Sequence, residues 1–126
     1  ESDEKMLLAR AIQMFMPGKP QVWYLDLFAG KNDHEAVRRA GESGHKEINR
    51  TNLSTDQIAE DLKKDVVQKQ LALIRMRNTH KAFSEGAEVA ISGGESSLQI
   101  RWEYNSAFAT LNVNFESGTY TIVESR

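Results

Sequence analysis

The side chains able to do chemistry crowd into residues 26–53, a stretch rich in Gly, Asn, charge and His. Asp26 opens it, His34 and Glu35 stand together, and His45 and Lys46 follow the break Gly41-Glu42-Ser43-Gly44. A loop that merely connects two elements is short, whereas long loops at the carboxyl end of a parallel strand are where α/β barrels keep their chemistry. This region is therefore the functional candidate. Asp26 sits where such a strand would deliver a functional side chain. His45 and Lys46 can be read either as binding residues or as ordinary solvated loop residues. His34 and Glu35 do not make a metal site, because they are adjacent, no second cluster follows, and helix neighbours cannot both face inward. The Asn49-Arg50-Thr51 and Asn52-Leu53-Ser54 sequons carry no weight in what reads as a cytoplasmic protein without a signal segment. No cofactor is implied.

Two elements must position this region. The run Pro20-Gln21-Val22-Trp23-Tyr24-Leu25 is almost continuously apolar, the pattern of a strand buried on both faces in a parallel sheet covered by helices. In a barrel strand Trp23 and Tyr24 would point to opposite sides, so both read as packing residues rather than sugar platforms. A helix over residues 2–16 precedes it. Ser2 can cap that helix, Asp3 and Glu4 favour its dipole, Met6, Leu7, Ala11, Ile12, Met14 and Phe15 recur at helical spacing, and Pro17-Gly18 stops it. Helix, turn and strand make half of a βαβ crossover whose first strand is missing, so the chain is expected to open inside a domain.

Beyond the strand, Asn32 with Glu35 has capping-box spacing and predicts a helix over 33–40, after which residues 45–52 show no clear periodicity. Ser54-Thr55-Asp56-Gln57 is a second capping box, opening a helix that carries Ile58 and Leu62. From Asp65, the positions Val66, Val67, Leu71, Leu73 and Ile74 mark an amphipathic helix to Asn78; Lys63, Lys64, Lys69, Arg75 and Arg77 are expected around wet surface. A boundary falls near Phe83, because after Gly86 the period switches to two. Leu98, Ile100 and Trp102, then Ala109, Leu111, Val113 and Phe115, alternate with polar residues; with residues 87–92 and 119–123 they predict a four-strand antiparallel meander. It would pack on the helix from Asp65 or on the absent barrel. The fold class is an α+β fragment: the end of a barrel over residues 1–83, with its last strand at about 20–25 and last helix at 65–78, followed by a small β-domain over 84–126.

Composition removes other classes. The chain has 126 residues, 16 Lys plus Arg against 18 Asp plus Glu, and no cysteine. That balance offers no electrostatic reason for a nucleic-acid or anionic-membrane partner. Without cysteine there is neither a disulfide framework nor a thiolate metal site. The first helix opens with acids and ends in Pro-Gly, unlike a signal segment, and no run approaches the roughly 18 apolar residues of a membrane span.

Four groups of residues, taken together, carry a resemblance: Pro17-Gly18-Lys19-Pro20-Gln21-Val22-Trp23-Tyr24, Ala29-Gly30-Lys31-Asn32-Asp33, Glu47-Ile48-Asn49-Arg50, and Val66-Val67 through Arg77-Asn78-Thr79-His80. They resemble the C-terminal part of sucrose phosphorylases, of glycoside hydrolase family 13 in the α-amylase superfamily, strongly over residues 11–83 and weakly over the meander. The resemblance implies the last strand and helix of a (β/α)8 barrel and a C-terminal β-domain. It also implies transfer of glucose from an α-glucoside to phosphate with retention, giving glucose 1-phosphate. Such chemistry needs a carboxylate nucleophile and a carboxylic acid/base about 5 Å apart. The resemblance places both, and the third family aspartate, upstream, so no residue here inherits a catalytic role and the fragment alone is expected to be inactive. In the family an arginine on the acceptor and phosphate side stands where this chain has Lys46, a point charge in place of a planar fork. His45 precedes it where the sucrose enzymes have glycine. The pair looks more like relatives acting on sucrose 6'-phosphate or glucosylglycerate, whose acceptors are anionic.

Lys46, His45 and Asp26 are thus the expected substrate-binding residues. Alternative readings are a non-catalytic carbohydrate-binding or interaction module built on the meander, and part of an α-glucosidase-type hydrolase. Binding modules carry aromatics on a wet strand face, whereas Trp102 and Phe115 are expected on the apolar faces. A strand robbed of its parallel neighbours leaves unpaired edges, and the isolated chain is expected to self-associate or to rearrange its N-terminal half.

Overall fold

The computed structural model describes residues 2–126, the side chain of Asn49 excepted. Two compact units result: one joins the residues up to Pro20 with Lys69–Arg126, the other is Gln21–Gln68.

The first unit is built on a meander in the order β1-β2-β3-β4, formed by β1 (Glu88–Gly93), β2 (Ser97–Tyr104), β3 (Ala107–Asn114) and β4 (Thr119–Glu124). All neighbours are antiparallel, and Ile100 lies opposite Leu111, Trp102 opposite Ala109. Period-two alternation therefore puts Ile100, Trp102, Ala109, Leu111 and Val113 on one buried face. Phe115 departs from that pattern. β3 ends at Asn114, the Phe115 N–H turns to the Ser96 carbonyl, and its ring is 49% exposed.

Helix α1 (Asp3–Phe15) packs on β2, β3 and β4, with Leu7, Ala11, Met14 and Phe15 buried. Its N-terminus is capped as expected, Ser2 Oγ accepting from the Lys5 N–H. Its C-terminal carbonyls have no basic residue in the last turn and are satisfied from elsewhere in the chain. The Trp102 indole donates to the Phe15 carbonyl at 2.6 Å, and Arg77 donates to the carbonyls of Met14 (2.7 Å), Met16 (3.1 Å) and Gly18 (2.7 Å). The guanidinium lies 4.3 Å from the Trp102 ring centroid and 5.1 Å from that of Phe83. Arg77 is therefore not one of the wet-face cations the charge pattern suggested. It leaves the surface of α5 (Asp65–Thr79) because three backbone acceptors and two rings await it. The 3₁₀ turn Lys81–Phe83 adds Phe83 edge-on to Phe15, at 5.3 Å between centroids. The sheet thus rests on α1 and this turn.

In the second unit, residues 21–23 are irregular and Tyr24–Leu27 form one helical turn, α2. The strand expected at about 20–25 is not formed in this chain. A strand needs ladder partners, and none is offered here. The backbone closes on itself instead, with Leu27 N–H to Trp23, Phe28 N–H to Tyr24 and Gly30 N–H to the Leu25 carbonyl. Leu25 is buried, but Trp23 is 45% and Tyr24 36% exposed, so neither ring is a core residue here. Helix α3 (His34–Ala40) follows, capped not by Asn32 but by Asp33, whose carboxylate accepts from the Ala36 N–H at 2.9 Å. Residues Gly41–Asn49, unreadable by periodicity, form a 3₁₀ helix. Helix α4 (Thr55–Asp61) begins at Ser54, whose Oγ accepts from Gln57 N–H at 3.1 Å. No described helix is long and apolar enough to cross a membrane.

Candidate substrate-binding site

Three local features shape the region that carries His45 and Lys46. The Asp33 N–H donates to the Ile48 carbonyl at 2.7 Å and ties the end of the 3₁₀ helix to the start of α3. Gly44 is buried, and a Cβ there would lie 2.7 Å from the Ala40 Cβ and 2.7 Å from the Val37 carbonyl oxygen, so only glycine lets the segment lie this close to α3. The Tyr24 hydroxyl donates to the Thr51 carbonyl at 2.9 Å and joins α2 to the chain beyond the 3₁₀ helix. The Thr51 hydroxyl oxygen is buried without a hydrogen-bond partner among the described residues.

These restraints bring Trp23, His45, Lys46, Ile48 and Arg50 around one shallow cavity of about 310 Å³. That is near the lower limit for ligand pockets, roughly 300 Å³, and suits a single sugar ring or a phosphate group better than a large ligand. Trp23 and Ile48 supply apolar wall. His45, Lys46 and Arg50 supply donors, all three on exposed residues. Glu47 pairs with Arg50 (Oε1 to Nη1, 3.2 Å), which leaves a net positive balance on the 46–50 segment. Such a surface can offer charge-assisted hydrogen bonds to an anion or a polyhydroxylated ligand.

Of the three residues expected to bind substrate, His45 and Lys46, neighbours in the chain, both line this cavity. Asp26 is exposed on α2 and is not among the residues lining this cavity. Sequence reasoning passed over Trp23, Ile48 and Arg50, although Ile48 and Arg50 belong to the Glu47-Ile48-Asn49-Arg50 group already recognised as distinctive. The side chain of Asn49, in that group and in the first sequon, lies outside the described structure. His34 and Glu35 sit exposed on α3, and no cluster of three or more His, Asp or Glu among the described residues could hold a metal ion.

Elsewhere in this unit one carboxylate is shifted. Asp61, 2% exposed, accepts from Lys64 Nζ and from Gln57 Nε2, each at 2.9 Å. The bond from Lys64 holds its pKa below the ordinary aspartate range, burial pulls the other way, and the Gln57 amide and the Lys64 charge add to the lowering. It anchors the end of α4 and takes no part in the cavity.

No protein-family model matches the chain. It is 51% identical over 122 residues to a sucrose 6(F)-phosphate phosphorylase from Ilumatobacter coccineus, covering 97% of this chain and 23% of that protein. A sucrose phosphorylase from Agrobacterium vitis is 41% identical, with 98% and 25% covered, and a glucosylglycerol phosphorylase from Marinobacter adhaerens 38% identical, with 99% and 26% covered. The crystal structure of sucrose 6F-phosphate phosphorylase from Thermoanaerobacter thermosaccharolyticum superposes with a TM-score of 0.89 at 39% identity, over 99% of this chain and 25% of that one. The chain spans about a quarter of the length of these relatives. Over nearly all of its residues it is homologous to the C-terminal part of the sucrose phosphorylase-type enzymes.

Proposed function

We propose that this chain is the C-terminal portion of a glucoside phosphorylase of the α-amylase superfamily, glycoside hydrolase family 13, that moves glucose from sucrose or a related α-glucoside to phosphate with retention. The observation that carries this is the likeness to phosphorylases acting on sucrose, sucrose 6(F)-phosphate and glucosylglycerol, each matched over nearly the whole chain. In this reading residues 1–83 complete a (β/α)8 barrel and 84–126 form its β-domain. The run at 20–25, here irregular over 21–23 and helical from Tyr24, is the last barrel strand of the whole enzyme, where parallel neighbours supply its ladder. The reacting carboxylates belong to the rest of the enzyme, which works in the cytoplasm, and the 126-residue chain alone is inactive. Lys46 and His45 hold the acceptor side, as their shared cavity supports. Asp26 enters only through its place at the end of the expected strand. Freed of those neighbours, the isolated chain self-associates.

The test is phosphorolysis by the full-length enzyme containing this chain, with sucrose, sucrose 6(F)-phosphate and glucosylglycerol as donors. Release of glucose 1-phosphate from at least one is expected, reduced roughly tenfold or more by Lys46→Ala on the preferred donor. Release of free glucose independent of phosphate would overturn the reading in favour of a hydrolase.

A further inference from the structure

The wet face of the meander carries a cavity of about 520 Å³ to which the proposed function gives no work. It lies wholly within the first unit. Strand register builds it. Ser92 stands opposite Gln99 and Gln99 opposite Asn112, so alternation puts these three side chains in one row, on the face away from the buried Ile100 and Leu111. Ser97, two residues before Gln99, shares that face. Leu98 and Val113 also line the cavity, but alternation sends their side chains to the other face, and what they lend is backbone. None of the described residues lining it is charged. Arg101, next along the same face, is engaged by Glu103 (3.4 Å) and Thr110 (3.2 Å), lies 4.4 Å from the Phe108 ring centroid, and does not line it.

The two amides are fixed in polarity. Gln99 Nε2 donates to Asn112 Oδ1 at 2.8 Å, which leaves Oε1 of Gln99 to accept and Nδ2 of Asn112 to donate. Ser97 Oγ accepts from the Gly94 N–H at 3.2 Å and keeps its own O–H to give. Neighbouring hydroxyls of a sugar answer this pattern, since each can both donate and accept. An ionic ligand would find no counter-charge here to offset its desolvation.

We propose that this face of the meander is a binding site for a neutral saccharide. One hydroxyl of a neighbouring pair donates to Gln99 Oε1 and the other accepts from Asn112 Nδ2, with Ser92 and Ser97 serving further hydroxyls. The volume lies within the ordinary range of ligand cavities. No aromatic ring lines it, so binding rests on hydrogen bonds exchanged with water and is weak, on the order of millimolar. The ligand class follows from the cavity alone and does not depend on the phosphorylase reading.

The experiment titrates the isotope-labelled 126-residue chain with glucose, with sucrose and, as an ionic control, with sodium sulfate, following the Gln99 and Asn112 side-chain amides and the backbone of residues 92–99 by NMR. Saturable shifts with at least one of the two sugars are expected in this row, with sulfate leaving it unmoved. Asn112→Asp keeps the shape and removes the donor, and Gln99→Ala removes the acceptor. Each should weaken sugar binding roughly threefold or more. Both positions lie on the wet face, and unchanged amide signals from Ile100 and Leu111 would show that the sheet is intact in each variant. No sugar-dependent shift in this row, shifts that survive both substitutions, or an equal response to sulfate would overturn the proposal. None of these readouts requires catalysis, so failure of the phosphorylase reading leaves them unaffected.

Discussion

The two units differ in where their backbone finds its partners. In the first, sheet, helix and turn close on one another, and even the last carbonyls of α1 are taken up by Trp102 and Arg77 from more than 50 residues away in sequence. In Gln21–Gln68 the helices α3 and α4 are capped by their immediate neighbours, α3 buries no residue, and a nine-residue stretch settles for 3₁₀ geometry. That geometry is normally limited to three or four residues. Yet the cationic donor groups converge in the second unit, not the first. A scaffold can be self-sufficient because its chemistry is apolar burial. A binding region must leave polar and charged groups unburied, and so draws little stability from itself.

This contrast can be broken at its strongest point first. Trp102→Ala removes a buried indole, its bond to the Phe15 carbonyl and the ring beneath Arg77. It should cost about 3–5 kcal/mol, read by urea denaturation, with hydrogen exchange speeding across β2 and β3. A loss below about 1 kcal/mol would mean the first unit does not depend on this clamp. Next comes Gly44→Ala, whose methyl has nowhere to go between Val37 and Ala40. It should destabilise the 3₁₀ helix by about 1–3 kcal/mol, seen as faster exchange at residues 45–50 while the sheet amides stay unchanged. Simultaneous loosening of the sheet would show that the two units are not energetically separate.

The smallest effect concerns pH. Asp61 is held below the ordinary aspartate pKa, so its contribution is present above that value and is lost as pH falls through the depressed one. Protection of the α4 amides should therefore decline below about pH 4, and Asp61→Asn should flatten that decline. Lys64 is 45% exposed, so solvent screens the pair and the gain stays modest. A pH profile identical in the variant would remove Asp61 as its cause.

Much of the fold is legible in residue order because it rests on local rules. Ser2 and Ser54 cap the helices their spacing announces, and the alternation from Leu98 to Val113 specifies which face of the meander is buried. Those rules stop at Phe115, where the strand has ended and alternation no longer governs direction. They fail at residues 20–25 for a different reason. An apolar run states that a segment is to be buried but not by what; here residues 21–23 are irregular, Tyr24–Leu27 form a helical turn, and Leu25 is the residue of the run that is buried. Arg77 shows the converse, since nothing in a helical charge pattern announces three carbonyls waiting at the end of another helix. The candidate site divides in the same way. Residue types marked His45 and Lys46 as donor groups, whereas the cavity they share with Trp23, Ile48 and Arg50 rests on the Asp33 to Ile48 and Tyr24 to Thr51 bonds and the close approach permitted by Gly44. Sequence by itself determined the capped helices, the meander and which loop carries donors, because propensity, capping and alternation act over a few residues. Which donors share a cavity was decided by tertiary structure alone, because that depends on how closely two backbones can approach.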